Sequence, residues 1–284
     1  MPTFISYDGA ELHYDLLGDP ALPRLIVQAG GAARHPSYLG DLAGLTSTRC
    51  LVVLHQRGVG DSLHAVGTAQ NAGRWTELAE DIEALRQHLA LERLELLGHS
   101  AGTRVALSYA ARYPDRLARL CLVTPPATWL VEEPDDSRDI VARHSAEDWY
   151  PAFLDALPRY AAATTAQEAM DAFAAIAPIS FAQWDDTAKL HQNIGQWYTE
   201  AQNAFMAGVE VDAAQLRQQL AQLQCETLVV AGDSDGLVGL RPVLALADLF
   251  PHGSVTVLDD CGHYPWVEQP AAFSAATASF FATA

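Results

Sequence analysis

Seven short apolar runs, each five to seven residues long, punctuate this chain, and helical patterns separate most of them. The runs are Glu11–Leu17, Arg24–Gln28, Arg49–Leu54, Arg93–Leu97, Leu117–Val123, Glu226–Ala231 and Ser254–Leu258. Several are apolar at successive positions, as strands buried on both faces of a parallel sheet must be. A stretch near Thr3–Ser6 would make an eighth. Between the runs, Leu78, Ile82, Leu85 and Leu89 recur at intervals of four, three and four, one apolar stripe with acidic and basic residues opposite. Ala101–Tyr113 reads as a second helix stopped by Pro114, and Arg241–Phe250 and Ala271–Phe281 as two more. The alternation predicts an α/β fold, with about eight mostly parallel strands in one sheet flanked by helices.

The alternation breaks once. From about Pro126 to Gln222 there are only alanine-rich helical patterns with prolines between them, and Trp129, Trp149, Trp184 and Trp197 lie there. Strand patterns resume at Glu226. The segment therefore reads as a helical cap, residues 126–222, inserted after the sixth strand of a core formed by residues 1–125 and 223–284. A chain of 284 residues has room for one such domain with its insertion.

The formal charge of −18 disfavours nucleic acid and anionic membranes as partners, because both are held by lysine and arginine. The N-terminus lacks a basic start followed by an apolar run, so no signal peptide is expected. No apolar stretch reaches the 18 residues a membrane span needs. Cys50, Cys121 and Cys225 sit in or beside apolar runs, and none of the four cysteines has metal-ligand or redox spacing. These features point to a cytoplasmic location, and neither a metal nor an organic cofactor is expected.

The pentapeptide Gly98-His99-Ser100-Ala101-Gly102 lies where an apolar run meets a helical pattern. Chance supplies a Gly-x-Ser-x-Gly in about one chain in twenty, so its setting decides its meaning. A tight strand-to-helix turn strains the serine backbone, demands small neighbours, and places the hydroxyl at a helix N-terminus. Ser100 is thus the candidate nucleophile. It needs a base, and the base needs an orienting acid, in the chain order serine, acid, histidine. Asp233 and Asp235 both follow the run ending at Ala231, and Asp259 and Asp260 lie too close to the base to be favoured. His263, in Cys261-Gly262-His263-Tyr264-Pro265 after the last run, is the candidate base. His13, His88 and His99 read as strand-face, helix-face and turn residues. Acyl transfer also needs donors for an oxyanion. The N–H of Ala101 is one, and the loop Gln28-Ala29-Gly30-Gly31-Ala32-Ala33 offers Gly31 as the second.

With these residues in place the chain resembles the α/β-hydrolase superfamily over essentially its whole length, and within it proline iminopeptidases and related aminoacyl hydrolases. His55-Gln56-Arg57-Gly58-Val59-Gly60-Asp61-Ser62 looks like that group's Asp-Gln-Arg-Gly-x-Gly-x-Ser loop. Glu80–Leu89 resembles its helix before the nucleophile, and Gly30-Gly31 followed by Tyr38-Leu39 resembles its oxyanion loop. Ala29, Ala32, Ala33, His55, His99 and Ala101 depart from the group's usual residues. The resemblance implies Asp235 rather than Asp233 as the acid. It also implies hydrolysis of an N-terminal aminoacyl amide through an acyl-enzyme, on a peptide or an aminoacylated natural-product intermediate. The partner would then be a small-molecule or peptide substrate with a free amino group. The cap holds 15 Asp or Glu against 5 Lys or Arg. Asp185, in a segment similar to the group's Trp-Glu, and Glu200 are the expected ligands for the ammonium. The alternative with the same three residues is a carboxylesterase or C–C-bond hydrolase.

Overall fold

A computed structural model describes residues 2–282. Its strands are β1 (Thr3–Ile5), β2 (Glu11–Leu17), β3 (Arg24–Gln28), β4 (Cys50–Leu54), β5 (Leu94–His99), β6 (Leu117–Val123), β7 (Glu226–Gly232) and β8 (Gly253–Leu258). They form one sheet in the order β1-β2-β4-β3-β5-β6-β7-β8. β1 pairs antiparallel with β2, and β2 with β4, while all other pairings are parallel. The apolar runs form strands because each alternates its side chains between two cores. Ile26, Val52, Leu96, Leu120 and Val229 enter one core. Val27, Val53, Leu97, Cys121 and Val230, one position along each strand, enter the other.

Helices cover both faces. The leucine and isoleucine stripe forms α1 (Leu78–His88), with Leu78, Ile82 and Leu85 buried. α2 (Gly102–Arg112) follows β5 directly. Between β6 and β7 lie α3 (Ser137–Ala142), α4 (Tyr150–Ala162), α5 (Ala166–Ile176), α6 (Asp186–Gln192), α7 (Thr199–Met206) and α8 (Ala213–Leu220). Among the described residues this segment contains no strand, only an isolated bridge from Trp197 to Arg34. Thr165, Asp185 and Asp212 start α5, α6 and α8 by accepting a backbone N–H three residues on. After β7 come α9 (Arg241–Ala247), α10 (Pro265–Glu268) and α11 (Pro270–Ala282). α9 ends sooner than the pattern to Phe250 predicts. Leu249 and Phe250 donate to carbonyls three residues back, so the last turn tightens and leaves the α-helix.

Candidate active site

In a sheet of this kind the loops beyond the carboxyl ends of the parallel strands converge on one crevice. The candidate residues come from four of them. Ser100 follows β5 at φ 51°, a left-handed backbone that a serine tolerates poorly. The flanking glycines explain why the turn closes. A Cβ on Gly102 would meet the Gln28 and Ala29 carbonyls at 2.6 and 2.4 Å, and one on Gly98 would crowd α2 at Ala106 and Thr103. The Ser100 N–H donates to the Val123 carbonyl at 2.9 Å, which ties the turn to β6.

His263 and Asp235 meet this serine. His263 Nε2 lies 2.7 Å from Ser100 Oγ, and its Nδ1 lies 2.7 Å from Asp235 Oδ2. The other Asp235 oxygen accepts the N–H groups of Leu237 and Val238, so the carboxylate is aimed. His263 and Asp235 are 2% and 1% exposed, which leaves Asp235 no solvent to compete for its proton acceptor role. Asp233 does not join them. Its carboxylate accepts from the Ser234 hydroxyl and the Cys261 N–H instead.

The loop after β3 closes the site. Gly30 lies against the nucleophile, since a Cβ there would sit 2.8 Å from Ser100 Cβ. The N–H groups of Gly31 and Ala101 find no protein acceptor among the described residues, and both residues line one cavity. The loop that carried the family likeness braces this one from below. Gln56 donates to the Ala32 carbonyl, and Arg57 pairs with both Asp81 of α1 and Asp8.

A buried chain of hydrogen bonds runs behind the site, and the sequence reading missed it. Gly30 N–H donates to Tyr38 Oη at 2.7 Å, Tyr38 lies 2.7 Å from His99 Nδ1, and His99 Nε2 lies 3.0 Å from the His263 carbonyl. Burial holds the His99 imidazole well below its ordinary pKa, so it is neutral. A carbonyl can only accept, so Nε2 carries the hydrogen, Nδ1 accepts, and the tyrosine O–H donates. His99 was read as a turn residue; it is the last residue of β5 and joins three loops of the site. Tyr38 in the Tyr-Leu pair after the double glycine was the visible signal.

The cap is fastened to the same loops. The Ser180 carbonyl accepts the His263 N–H at 2.7 Å, and the Ile179 carbonyl accepts the Gly236 N–H at 3.0 Å. Arg34, 2% exposed, carries a positive charge among carbonyl groups. It donates to the carbonyls of His191, Gln192 and Ile194 at the end of α6 and to Tyr264 Oη, and its guanidinium stacks 4.4 Å from the Tyr38 ring. A helix C-terminus is the negative end of its dipole, which offsets the missing carboxylate. Glu268 is a further residue not singled out from sequence. It accepts the N–H groups of Gly262 and Tyr264, on either side of His263, and of Ala182 in the cap.

The expected ammonium ligands lie elsewhere. A cavity of about 190 Å³ is lined by Gly31 and by Ala101, the residue after Ser100, and Met170, Phe173, Trp197 and Leu237 form its apolar walls, with Tyr160 and Gln202 as its polar ones. Among the described residues no carboxylate lines it. Asp185 is exposed and occupied as the N-cap of α6, where its side chain accepts the Ala188 N–H. It borders a separate cleft with Asp260 and Glu268, to which Ser100, Asp235 and His263 do not contribute. Glu200 is exposed on the first turn of α7. Among the described residues no group of side chains is arranged to hold a metal.

A family model of the alpha/beta hydrolase fold matches residues 23–270. A Caulobacter sp. (strain K31) protein bearing the name carbamate hydrolase RutD is 25% identical over 274 residues, covering 95% of each chain. A Mycoplasma pneumoniae (strain ATCC 29342 / M129 / Subtype 1) protein bearing the name proline iminopeptidase is 40% identical over 120 residues, or 40% of this chain and 37% of its own. The solved structure of the esterase RhEst1 from Rhodococcus sp. ECU1013 superposes with a TM-score of 0.70 at 20% identity, covering 99% of this chain and 98% of that one. With its strand order, its serine turn and most of its length matched in this way, the chain belongs to the alpha/beta hydrolase fold family and is a hydrolase of that family.

Proposed function

We propose that this protein is a serine-nucleophile ester hydrolase for uncharged substrates with an apolar acyl group, acting through an acyl-enzyme. One observation carries the reading: beside the Ser100–His263–Asp235 chain lies a cavity lined by Gly31 and Ala101, whose other walls are largely apolar and, among the described residues, hold no carboxylate. His263 Nε2 takes the proton as Ser100 Oγ attacks the carbonyl carbon, and Asp235 holds the imidazolium that forms. The Gly31 and Ala101 N–H groups receive the oxyanion, and the positive end of α2 lies beneath it. His263 then protonates the departing alcohol. Water enters, gives its proton to His263, and cleaves the acyl-enzyme by the same steps in reverse.

A free ammonium drawn into this cavity would lose its water without gaining a counter-charge, which is strongly unfavourable. That favours the ester over the aminoacyl amide as substrate, with Asp185 and Glu200 left at the surface. The test is labelling and turnover. A fluorophosphonate should label wild type and not Ser100→Ala, and p-nitrophenyl butyrate should be cleaved faster than an aminoacyl p-nitroanilide with a free amine. Asp235→Asn should lower kcat by about 10⁴ by favouring the wrong imidazole tautomer, while Asp233→Asn stays within about threefold of wild type. No labelling of folded protein would sink the chemistry. A free-amine substrate outrunning its N-blocked analogue would sink the substrate class.

A further inference from the structure

The cavity lined by Gly31 and Ala101 beside Ser100 shares a wall with a second one. Two of its residues, Tyr160 of α4 and Leu237, also line a larger cavity of about 670 Å³ on the far side. That cavity lies between α4 and the segment that follows Asp235. Its floor is buried and apolar, made by Val141, Phe153, Ile176 and Ile179. Its rim carries Leu154, Leu157, Tyr160 and Leu237, which are 50, 40, 45 and 37% exposed. Among the described residues Arg138 is its one charged lining residue.

The amphipathic design of α4 explains the floor and leaves the rim unexplained. Phe153 and Ala156 pack inward and account for the helix being held. Leu154 and Leu157 lie one position further round, where a helix facing water would carry polar side chains, and they do not contribute to the buried cluster beneath. Apolar side chains gathered at an open groove mark a binding surface more often than scattered single ones do. Tyr160 and Leu237 border both this groove and the cavity lined by Ala101 beside Ser100, and this shared wall argues for an acyl chain as the occupant.

Resting on the ester-hydrolase reading above, we infer that this groove is a second acyl compartment. It takes the distal end of an aliphatic acyl chain whose carbonyl lies at Ser100, passing between Tyr160 and Leu237. The substrate class is thereby narrowed to esters of medium-length, uncharged aliphatic acids. Short acyl groups fill the first cavity and gain nothing from the groove.

The experiment is a chain-length series of p-nitrophenyl acetate, butyrate and octanoate on wild type and on Leu154→Asn/Leu157→Asn. Both leucines are exposed and lie outside the catalytic machinery, so the variant should fold and retain acetate turnover within about twofold. Burying a methylene raises kcat/KM by up to about fourfold. Wild type should therefore prefer octanoate to acetate by at least about tenfold, and the double variant should lose most of that preference. A flat wild-type profile, or an octanoate rate untouched in the variant, overturns the second compartment while fluorophosphonate labelling of Ser100 leaves the chemistry standing. Absence of labelling and of turnover on every ester overturns the parent reading and this one with it. A concentration-dependent dimer that the double variant abolishes, with the chain-length profile unchanged, would assign the groove to a second copy of the chain and overturn the inference.

Discussion

Replacing Tyr38 by Phe removes a single oxygen and keeps a ring that packs against His99, His191, Tyr264 and Trp266. That oxygen makes two bonds, accepting from Gly30 N–H and donating to His99 Nδ1, each at 2.7 Å. Tyr38 is 2% exposed and His99 1%, so water cannot replace it. Each buried polar group left unpaired costs about 1–3 kcal/mol. Two of them give about 2–6 kcal/mol, or a fall in Tm of roughly 4–12 °C for a chain of this size. The catalytic effect has a separate origin. Gly30 is adjacent to the proposed oxyanion donor Gly31, and a displacement of about 1 Å there can reduce the rate by about 10²-fold. Urea unfolding, together with kcat and KM on p-nitrophenyl butyrate, should show lower stability and a kcat reduced by about 10- to 100-fold with KM nearly unchanged. Tyr264→Phe is the control, because its hydroxyl accepts from the far tip of the Arg34 side chain and makes no bond to Gly30 or His99. It should lose stability and keep kcat within about threefold. Equal kcat in the two variants, or a Tyr38→Phe loss below about 1 kcal/mol, would refute the claim that this hydroxyl positions the oxyanion loop.

Two further outcomes follow from buried charge. Burial raises the Glu268 carboxyl from 4.5 to about 7, although its backbone N–H partners pull the other way. A pKa higher in the folded than in the unfolded state gives stability that is full below about pH 4.5 and is lost as pH rises through about 7. Its contribution to that fall is about 3 kcal/mol, and urea unfolding of Glu268→Gln should show the slope between pH 4.5 and 7 flattened. Arg57→Met should destabilise by about 3–5 kcal/mol by leaving Asp8 and Asp81 buried together without their cation. Protonating those carboxylates relieves the repulsion, so the deficit should shrink toward pH 4; a deficit constant with pH would point to lost packing instead.

The strands were legible because they are the least ambiguous objects a sequence can hold. Cys50–Leu54 is buried at every position, and Leu228, Val229 and Val230 fill both cores in turn. Boundaries moved by a residue or two where strand passes into site. β5 runs on through Gly98 and His99, and β7 through Gly232, because these residues keep pairing with their neighbours while their side chains serve the loop. The serine, the histidine and both candidate aspartates were readable because loop chemistry in this fold follows the order of the strands. The choice of Asp235 over Asp233 came from the family resemblance alone, since residue types do not record which carboxylate the turn at Gly236 directs toward His263. Tyr38, His99 and Arg34 were missed for a related reason. They touch residues 61, 164 and 230 positions away, and no periodicity records such a meeting.

The acidic cap suggested an ammonium site through its net charge, which counts residues and is blind to the face on which they lie. Of its 15 acidic residues, Asp136 alone is buried, and it accepts the N–H groups of Leu240 and Arg241 at the start of α9. Asp185, Asp212 and Glu168 have local work at helix starts, which the sequence advertised by placing each a turn before or within an alanine-rich stretch. The rest face water. Such a shell acts at long range rather than by contact: it repels anions approaching the mouth of the cavity and leaves uncharged molecules unaffected. The cavity beneath has apolar walls and no carboxylate to receive a cation. An outer field that repels anions and an inner surface that offers a desolvated ammonium no counter-charge are the two physical grounds on which the proposed neutral apolar ester rests.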